Sequence, residues 1–115
     1  MSINVESLAV AHLNDLEDRP AEAFMDVPAN RPAQFITVER TGGGHTDVRD
    51  IPLTALQCWA ESRWEASELA RVTAANIKTL VMHPAVGRVN VSGIYNFPAP
   101  SGESRYQIVT EIVTV

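Results

Sequence analysis

The sequence predicts a small α+β domain in which about four strands form a mainly antiparallel sheet that two helices pack against. Two stretches carry apolar residues at spacings of three and four, which is typical of amphipathic helices. Other stretches alternate between apolar and polar residues or are rich in β-branched residues, which is typical of strands. The order of elements is α-β-β-α-β-β. A chain of 115 residues fits a single domain, residues 1–115.

The first helix is predicted close to the N-terminus. Apolar side chains recur on one face until about Asp18, and Arg19-Pro20 then ends the helix. His12 falls on this apolar face, which favours a histidine at the edge of the core with one hydrogen-bond partner over a ligand. Residues 20–32 contain three prolines, so we interpret them as a connector that has room for one short extended piece.

Two predicted strands then flank a glycine-rich segment. Residues 35–41 alternate between two faces, and a second alternating run covers residues 51–60. Residues 42–47, with the sequence GGGHTD, interrupt the pattern. We therefore expect an antiparallel hairpin with a long, flexible tip. Pro52 cannot donate to a sheet ladder, so it is expected at the start of its strand or on an edge.

The second helix has a clear start signal. Residues 62–65, SRWE, fit a capping box in which the Ser62 hydroxyl accepts from the Glu65 amide and the Glu65 carboxylate accepts from the Ser62 amide. The apolar stripe then continues for about five turns until His83-Pro84. The alanine content of this helix indicates close packing against the sheet.

Two further strands are predicted over residues 89–97 and 105–115, joined by a stiff, proline-containing link. The last of them is rich in β-branched residues. Such a strand at the edge of a sheet is an aggregation risk unless it is covered or paired, so an edge position would favour assembly with another subunit. The alternative is a central position in the sheet.

Charge and cysteine content restrict the class of function. Fourteen acidic and nine basic side chains give a net charge of −5, and the scattered bases form no strip that could follow a phosphate backbone. An acidic protein can still surround DNA, because a negative wall lets the duplex slide past. Cys58 is the only cysteine, which excludes an intrachain disulfide and favours a reducing compartment. No leader-like or membrane-spanning run is present, so we expect a soluble protein made in the cytoplasm.

No residue pattern indicates a catalytic, cofactor or metal site. The three glycines lack the Lys and Ser/Thr of a P-loop and the GxGxxG spacing of a dinucleotide site. His45, Asp47 and Asp50 are close in sequence, but a metal site needs well-spaced ligands that are held rigidly. Cys58 lies in a predicted strand, where a buried thiol is commoner than a nucleophile. The alternative from this class is a small enzyme or ligand-binding domain that uses His45, Asp47 and Cys58.

The two tryptophans lie on either side of the predicted strand-to-helix corner. Trp59 alternates with apolar neighbours in its strand, which favours a position in the core. Trp64 lies in the first helical turn, slightly off the apolar stripe. Since tryptophan is enriched at subunit contacts, Trp64 is a candidate interface residue.

Three groups of residues form a set that runs in order along nearly the whole chain. They are Arg31, Pro32, Phe35, Val38, Arg40, Thr41, Gly42 and Gly43; then Leu56, Gln57, Cys58, Trp59 and Ala60; then Gly93, Tyr95, Phe97, Pro98, Arg105, Tyr106 and Gln107. The set resembles the tail terminator (tail completion, head–tail joining) proteins of long-tailed bacteriophages. These have an RPxxFVxVxRTGG-like strand, a VQCWA-like strand that runs into an alanine-rich helix, and a closing RYQ strand. Gly44 and His45 extend the glycine segment beyond that pattern.

The resemblance implies a structural virion protein and not an enzyme. Copies of the chain are expected to form a homo-oligomer, a hexameric ring, at the head-proximal end of the phage tail, assembled in the host cytoplasm. The ring would cap the tail tube protein, end tube polymerisation and bind the head–tail connector (stopper) protein. Genomic DNA would pass through the lumen without specific binding, and no membrane or cofactor is implied. Another connector subunit, a stopper or adaptor, is the alternative in this class.

Within this reading, we expect the glycine-rich segment to contact a neighbouring ring. Its glycines would let it order on contact, at an entropic cost that the new interface must exceed. The predicted interface residues are Arg40, Thr41, Gly42, Gly43, Gly44, His45, Thr46 and Asp47, together with Trp64.

Overall fold

The computed structural model describes residues 4–45 and 50–115, with residues 42–45 and 50–52 described by their main chain alone. In this part of the chain the elements are α1 (Val5–Asp15), β1 (Glu22–Phe24), β2 (Phe35–His45), β3 (Asp50–Ala60), α2 (Arg63–Lys78), β4 (Val86–Asn96) and β5 (Ser104–Thr114). A 3-10 turn, Thr79–Met82, extends α2. The α+β class and the two predicted helices are confirmed. The sheet has an additional short strand, β1, which lies in the predicted connector.

The five strands form one sheet in the order β1-β2-β3-β5-β4. β1 runs parallel to β2, and all the other neighbouring strands are antiparallel. The C-terminal strand β5 is therefore central, which decides between the two positions that the sequence left open. β4 lies at the edge of the sheet instead.

The three glycines lie in a strand and not in a loop. β2 continues as far as His45, which pairs with Asp50 of β3. Thr41 is the extra residue of a bulge in this ladder, which shifts the register just where the alternation in the sequence stops. The prediction of a flexible tip that begins at residue 42 is therefore wrong for residues 42–45, while residues 46–49 lie outside the described part of the chain.

Both helices pack on one face of the sheet and enclose the core with it. Successive side chains of a strand point to opposite faces, so alternate residues of β2, β3 and β5 contribute to this core. Its main members are Val5, Ala9, Leu13, Ile36, Val38, Leu56, Cys58, Leu69, Ala70, Ala74, Ile77, Leu80, Ile108 and Ile112. The buried alanines of α2 allow this helix to approach the sheet closely, as predicted. No helix in the described ranges is long and apolar enough to cross a membrane.

Side chains cap the N-termini of both helices. The Asn4 side-chain oxygen accepts from the Ser7 amide at 3.0 Å at the start of α1. At the start of α2, Ser62 Oγ accepts from the Glu65 amide at 3.1 Å, which confirms half of the predicted capping box. The other half differs from the prediction, because the Glu65 carboxylate accepts from the Ser62 hydroxyl and not from the Ser62 amide.

Candidate functional site

A row of aromatic and arginine side chains crosses the face of the sheet opposite the helices. Phe35 of β2 pairs with Trp59 of β3, which pairs in turn with Arg105 of β5. The Phe35 and Trp59 rings are stacked, with centroids 5.2 Å apart and planes 13° apart. The Arg105 guanidinium lies 4.9 Å from the Trp59 centroid and 4.8 Å from that of Phe97. Phe24 meets Phe35 edge to face at 6.3 Å. The row thus reaches from β1 to the end of β4.

Arg105 is a nearly buried cation within this row. Its Nε–H donates to the Phe97 carbonyl at 2.9 Å. Burial lowers the pKa of Arg105, and the charges of Glu103 and Glu39 act in the opposite direction. An arginine pKa begins so far above neutrality that the side chain remains charged. Attraction between the cation and the two flanking rings offsets part of the cost of removing it from water.

A hydrogen-bonded polar row runs beside the aromatic row. The Trp59 Nε1–H donates to Thr37 Oγ1 at 3.0 Å, and the Thr37 hydroxyl donates to Gln57 Oε1 at 3.2 Å. Gln57 Nε2 donates in turn to Gln107 Oε1 at 3.2 Å. Each bond fixes the orientation of the next group, so the two rows together hold β2, β3 and β5 in one register.

A cleft of about 560 Å³ opens beside Trp59 and includes Arg31, Phe35 and Glu103 in its lining. The Arg31 guanidinium lies 5.5 Å from the Trp59 centroid, and its Nη1 donates to Glu103 Oε1 at 3.1 Å. The Ser101 hydroxyl donates to the other Glu103 oxygen. The pKa of Glu103 is lowered mainly by the hydrogen bond from Ser101, and Arg31 makes a smaller contribution. A carboxylate held in its charged form suits binding better than proton donation near neutral pH.

One edge of the sheet is closed by a side chain. β1 is three residues long, and Ala23 is its middle residue. The Asn14 side chain of α1 accepts from the Ala23 N–H at 2.7 Å and donates to the Ala23 carbonyl at 2.9 Å. Asn14 therefore takes the place that a further strand would occupy, which is one way in which proteins prevent edge-to-edge pairing.

The opposite edge of the sheet is open. β4 is 11 residues long and, among the described strands, pairs with β5 alone. The Phe97 N–H bonds to the Arg105 carbonyl at 2.9 Å, so alternation along the ladder directs the main-chain groups of Ile94 and Asn96 away from β5. Ile94, Tyr95 and Phe97 are 44%, 53% and 44% exposed. An apolar edge of this kind is a site for pairing with another chain.

The predicted interface residues of the hairpin lie at the end of β2 that is remote from Phe35. The Arg40 N–H donates to the Glu6 carboxylate of α1 at 2.8 Å, and the Thr41 hydroxyl donates to the Leu53 carbonyl at 3.2 Å. Both side chains are exposed. Gly42, Gly43, Gly44 and His45 complete β2, and Thr46 and Asp47 lie outside the described residues.

The two tryptophans have different environments. Trp59 is 7% exposed, which confirms its predicted place in a packed cluster. Trp64 is 72% exposed in the first turn of α2 and lies apart from the row described above. A large apolar side chain with this exposure is available for a contact with another protein.

Cys58 does not suit the role of a nucleophile that the enzyme alternative requires. It is fully buried beneath α2, and burial raises its pKa to about 12, with the Thr73 hydroxyl acting in the opposite direction. The reactive thiolate is therefore not formed near neutral pH. No group of three or more His, Cys, Asp and Glu side chains within the described residues is placed to hold a metal ion.

His12 has the single partner that was predicted for it. Its Nε2 lies 2.7 Å from the hydroxyl oxygen of Thr79. That hydroxyl donates its own proton to the Asn76 carbonyl at 2.6 Å, so it accepts from the His12 Nε2–H. His12 thus connects α1 to the end of α2, which is a structural role.

Sequence reasoning missed the residues that shape the two edges. Asn14 lies off the apolar stripe of α1. No spacing rule indicates that its side chain would bond to the main chain of Ala23. The sequence left the C-terminal strand open between an edge and a central position, and it did not indicate that β4 forms the open edge. The sequence did carry a signal for the aromatic row, because Phe35, Trp59, Phe97 and Arg105 all belong to the motifs that resemble tail terminators.

Comparison of the sequence with models of known protein families gives no match, and comparison with curated proteins gives no significant match either. The function must therefore be argued from the residues and their geometry. Two features are the most informative, namely the row centred on Trp59 and the contrast between the closed β1 edge and the open β4 edge.

Proposed function

We propose that this chain is a structural virion protein, a tail terminator, whose copies form a hexameric ring at the head-proximal end of the tail tube of a long-tailed bacteriophage. The ring ends tube polymerisation and joins the tail to the head connector. Genomic DNA passes through its lumen without specific binding. The observation that supports an assembly role is the open apolar edge at β4, which contrasts with the closed edge at β1 on the opposite side of the sheet.

The β4 edge is hard to explain in a monomer. Exposing Ile94, Tyr95 and Phe97 beside main chain that no described strand pairs with gives a soluble monomer no stability and invites aggregation. A ring subunit can cover such an edge with its neighbour. The Asn14 cap prevents the same sheet from growing by strand addition at β1, so the sheets of successive copies do not join into one continuous sheet.

The motif residues support the tail terminator reading because they form one packed unit. Arg31, Phe35, Trp59, Phe97 and Arg105 come from separate segments and meet in a single cluster beside the cleft. Residues that must pack together are expected to occur together in sequences that share a fold. The set is therefore a stronger signature than any one of its motifs.

Two further surfaces are proposed as contacts to the tail tube or the connector. One is the hairpin that carries Arg40, Thr41 and the glycine segment, and the other is Trp64 on α2. The net charge of −5 favours a lumen that DNA passes without binding.

The experiment that tests this function follows the growth of tail tubes. Purified tail tube protein is polymerised with and without this chain, and tube lengths are measured by negative-stain electron microscopy. A terminator shortens the tubes at substoichiometric amounts and is found at one tube end. Tubes of unchanged length with bare ends would contradict the proposal. Binding to a portal or adaptor protein, with no binding to tubes, would favour the stopper alternative.

A further inference from the structure

Exposed apolar side chains mark both edges of the sheet. On the β4 side, Ile94 and Tyr95 are 44% and 53% exposed. On the β1 side, Met25 and Val27, which directly follow β1, are 43% and 39% exposed. The two groups lie at opposite edges of the same sheet, so they can meet only if they belong to different copies.

Charge is distributed unequally between the same two edges. Residues 4–30, which contain α1 and β1, carry six acidic side chains and one basic side chain. Residues 62–97, which contain α2 and β4, carry four basic and two acidic side chains. α1 packs against β1 and β2, whereas α2 packs against β3, β5 and β4. The side that carries α1 and β1 is therefore acidic. On the other side, Arg71 and Arg88 form ion pairs with Glu68 and Glu111, so the excess of positive charge there comes from Arg63 and Lys78. An acidic side and a basic side attract each other.

Exposed side chains carry this charge beside the apolar groups. Glu22 and Asp26 are exposed next to Met25 and Val27, and we call these four residues the acidic edge. Ile94, Tyr95, Asn96 and Phe97 are exposed along β4, and we call these four residues the free edge. Arg63 and Lys78 are exposed at the two ends of α2, the helix that packs against β3, β5 and β4.

We propose that neighbouring copies of this chain bind head to tail, with the free edge of one copy packed on the acidic edge of the next. The inference rests on the proposed ring, for which it supplies the subunit contact. Asn14 occupies the main-chain groups of Ala23, so β4 of the neighbour does not add to β1 as a further strand. Instead, the outward main-chain groups of β4 meet the connector that follows β1. Apolar contact and charge attraction then act together.

A two-fold dimer through two β4 edges is the competing arrangement. It would bring two basic sides together and leave both acidic edges exposed. A head-to-tail contact uses two different patches on each copy and so generates a ring when the rotation closes. The two arrangements predict different complexes when a copy with a blocked β4 edge is mixed with a copy whose acidic edge is blocked.

The test uses two full-length variants, each of which blocks one edge. Ile94→Glu places a negative charge in the free edge, where it faces the acidic edge of the next copy, and the double variant Met25→Glu with Val27→Glu interrupts the apolar contact of the acidic edge. Each variant alone should associate at least about tenfold more weakly than the wild type, as expected for the loss of a central contact. An equimolar mixture should form dimers and nothing larger, because it retains one intact pair of edges. Masses are measured by analytical ultracentrifugation.

Two controls separate loss of the contact from loss of the fold. Ala75→Glu adds the same charge at an exposed position of α2 and should assemble like the wild type. Asn96→Pro removes one outward N–H of β4 without removing a ladder bond, so it should also weaken assembly. It replaces Ile94→Glu in the test if that variant proves unstable. Thermal unfolding followed by circular dichroism checks that each variant is folded.

The outcomes distinguish this contact from the proposed function. Dimers formed by the acidic-edge variant alone would overturn the head-to-tail arrangement in favour of β4–β4 pairing. Folded edge variants that form rings like the wild type would overturn it while leaving the tail terminator function intact. A wild-type chain that remains monomeric at every concentration, with or without tubes, would overturn it as well. Rings that depend on both edges but ignore tail tubes would support the contact and contradict the function.

Discussion

Arg105 places its guanidinium carbon 4.9 Å from the centre of the Trp59 ring on the neighbouring strand. On the other neighbouring strand, Phe35 stacks on the same indole at 5.2 Å. Trp59 is thus held between β2 and β5, and its N–H is fixed by Thr37. This arrangement makes the sheet a rigid support for the two edges through which copies are proposed to meet.

Replacing Trp59 with Phe should lower the free energy of unfolding by about 1–3 kcal/mol. The smaller ring can still stack on Phe35, but it loses the N–H that donates to Thr37 and leaves space beside Arg105. Trp64→Phe is the matched control, because Trp64 is 72% exposed and should change stability by less than about 0.5 kcal/mol. Urea unfolding followed by circular dichroism measures both. Equal losses in the two variants would show that the row contributes little.

Replacing Thr110 with Val should raise the free energy of unfolding by about 1 kcal/mol. The Thr110 hydroxyl is fully buried and makes no hydrogen bond to the described part of the chain. Thr37→Val is the matched comparison, because the Thr37 hydroxyl accepts from Trp59 and donates to Gln57. That change should lower the free energy of unfolding by about 1–3 kcal/mol. Denaturant unfolding at one pH should therefore give effects of opposite sign, and the same sign in both would refute this prediction.

Replacing Asn14 with Ala should destabilise the protein and open the β1 edge. The change leaves the N–H and carbonyl of Ala23 without their present partners, at a cost of about 1–2 kcal/mol. It should also increase self-association, because a second edge becomes available for strand pairing. Asn30→Ala in the exposed connector is the control. Unfolding curves and light scattering test the two effects, and a variant indistinguishable from the control would argue against the cap.

Cys58 should make the protein less stable in alkali. Its pKa is raised from 9.0 to about 12 in the folded chain, so above pH 9 the unfolded chain loses a proton that the folded chain retains. The stability that the protonated Cys58 thiol contributes is fully present below pH 9 and is lost as the pH rises towards 12. The stability difference between the wild type and Cys58→Ala should therefore shrink over this range. A difference that does not depend on pH would contradict the burial of the thiol.

The parts of the fold that the sequence predicted correctly are those with many periodic residues. α2 carries a long apolar stripe and a capping serine, Ser62, and both appear in the structure. β1 was missed as a defined strand because three residues are too few to show alternation. The glycine segment was mistaken for a loop because glycines have no side chains to alternate, although their main chain pairs with β3.

The geometry of the candidate site depends on register, which local sequence patterns do not determine. Trp59 and Arg105 are far apart in the chain and meet only because β5 lies next to β3. The placement of β4 at the edge follows from the same pairing. Residue types alone could indicate that Trp59 is buried and that Trp64 is open to contact, but not which strand would lie at the open edge of the sheet.

The most direct test of the central claim is to image the ends of preassembled tail tubes that have been incubated with the purified chain. Class averages from negative-stain electron microscopy would show whether density is added at a tube end and what symmetry it has. The tail terminator account predicts a ring with six-fold symmetry at one end of each tube and bare opposite ends. Tube ends that remain unchanged, while the chain stays a monomer in the same sample, would contradict it.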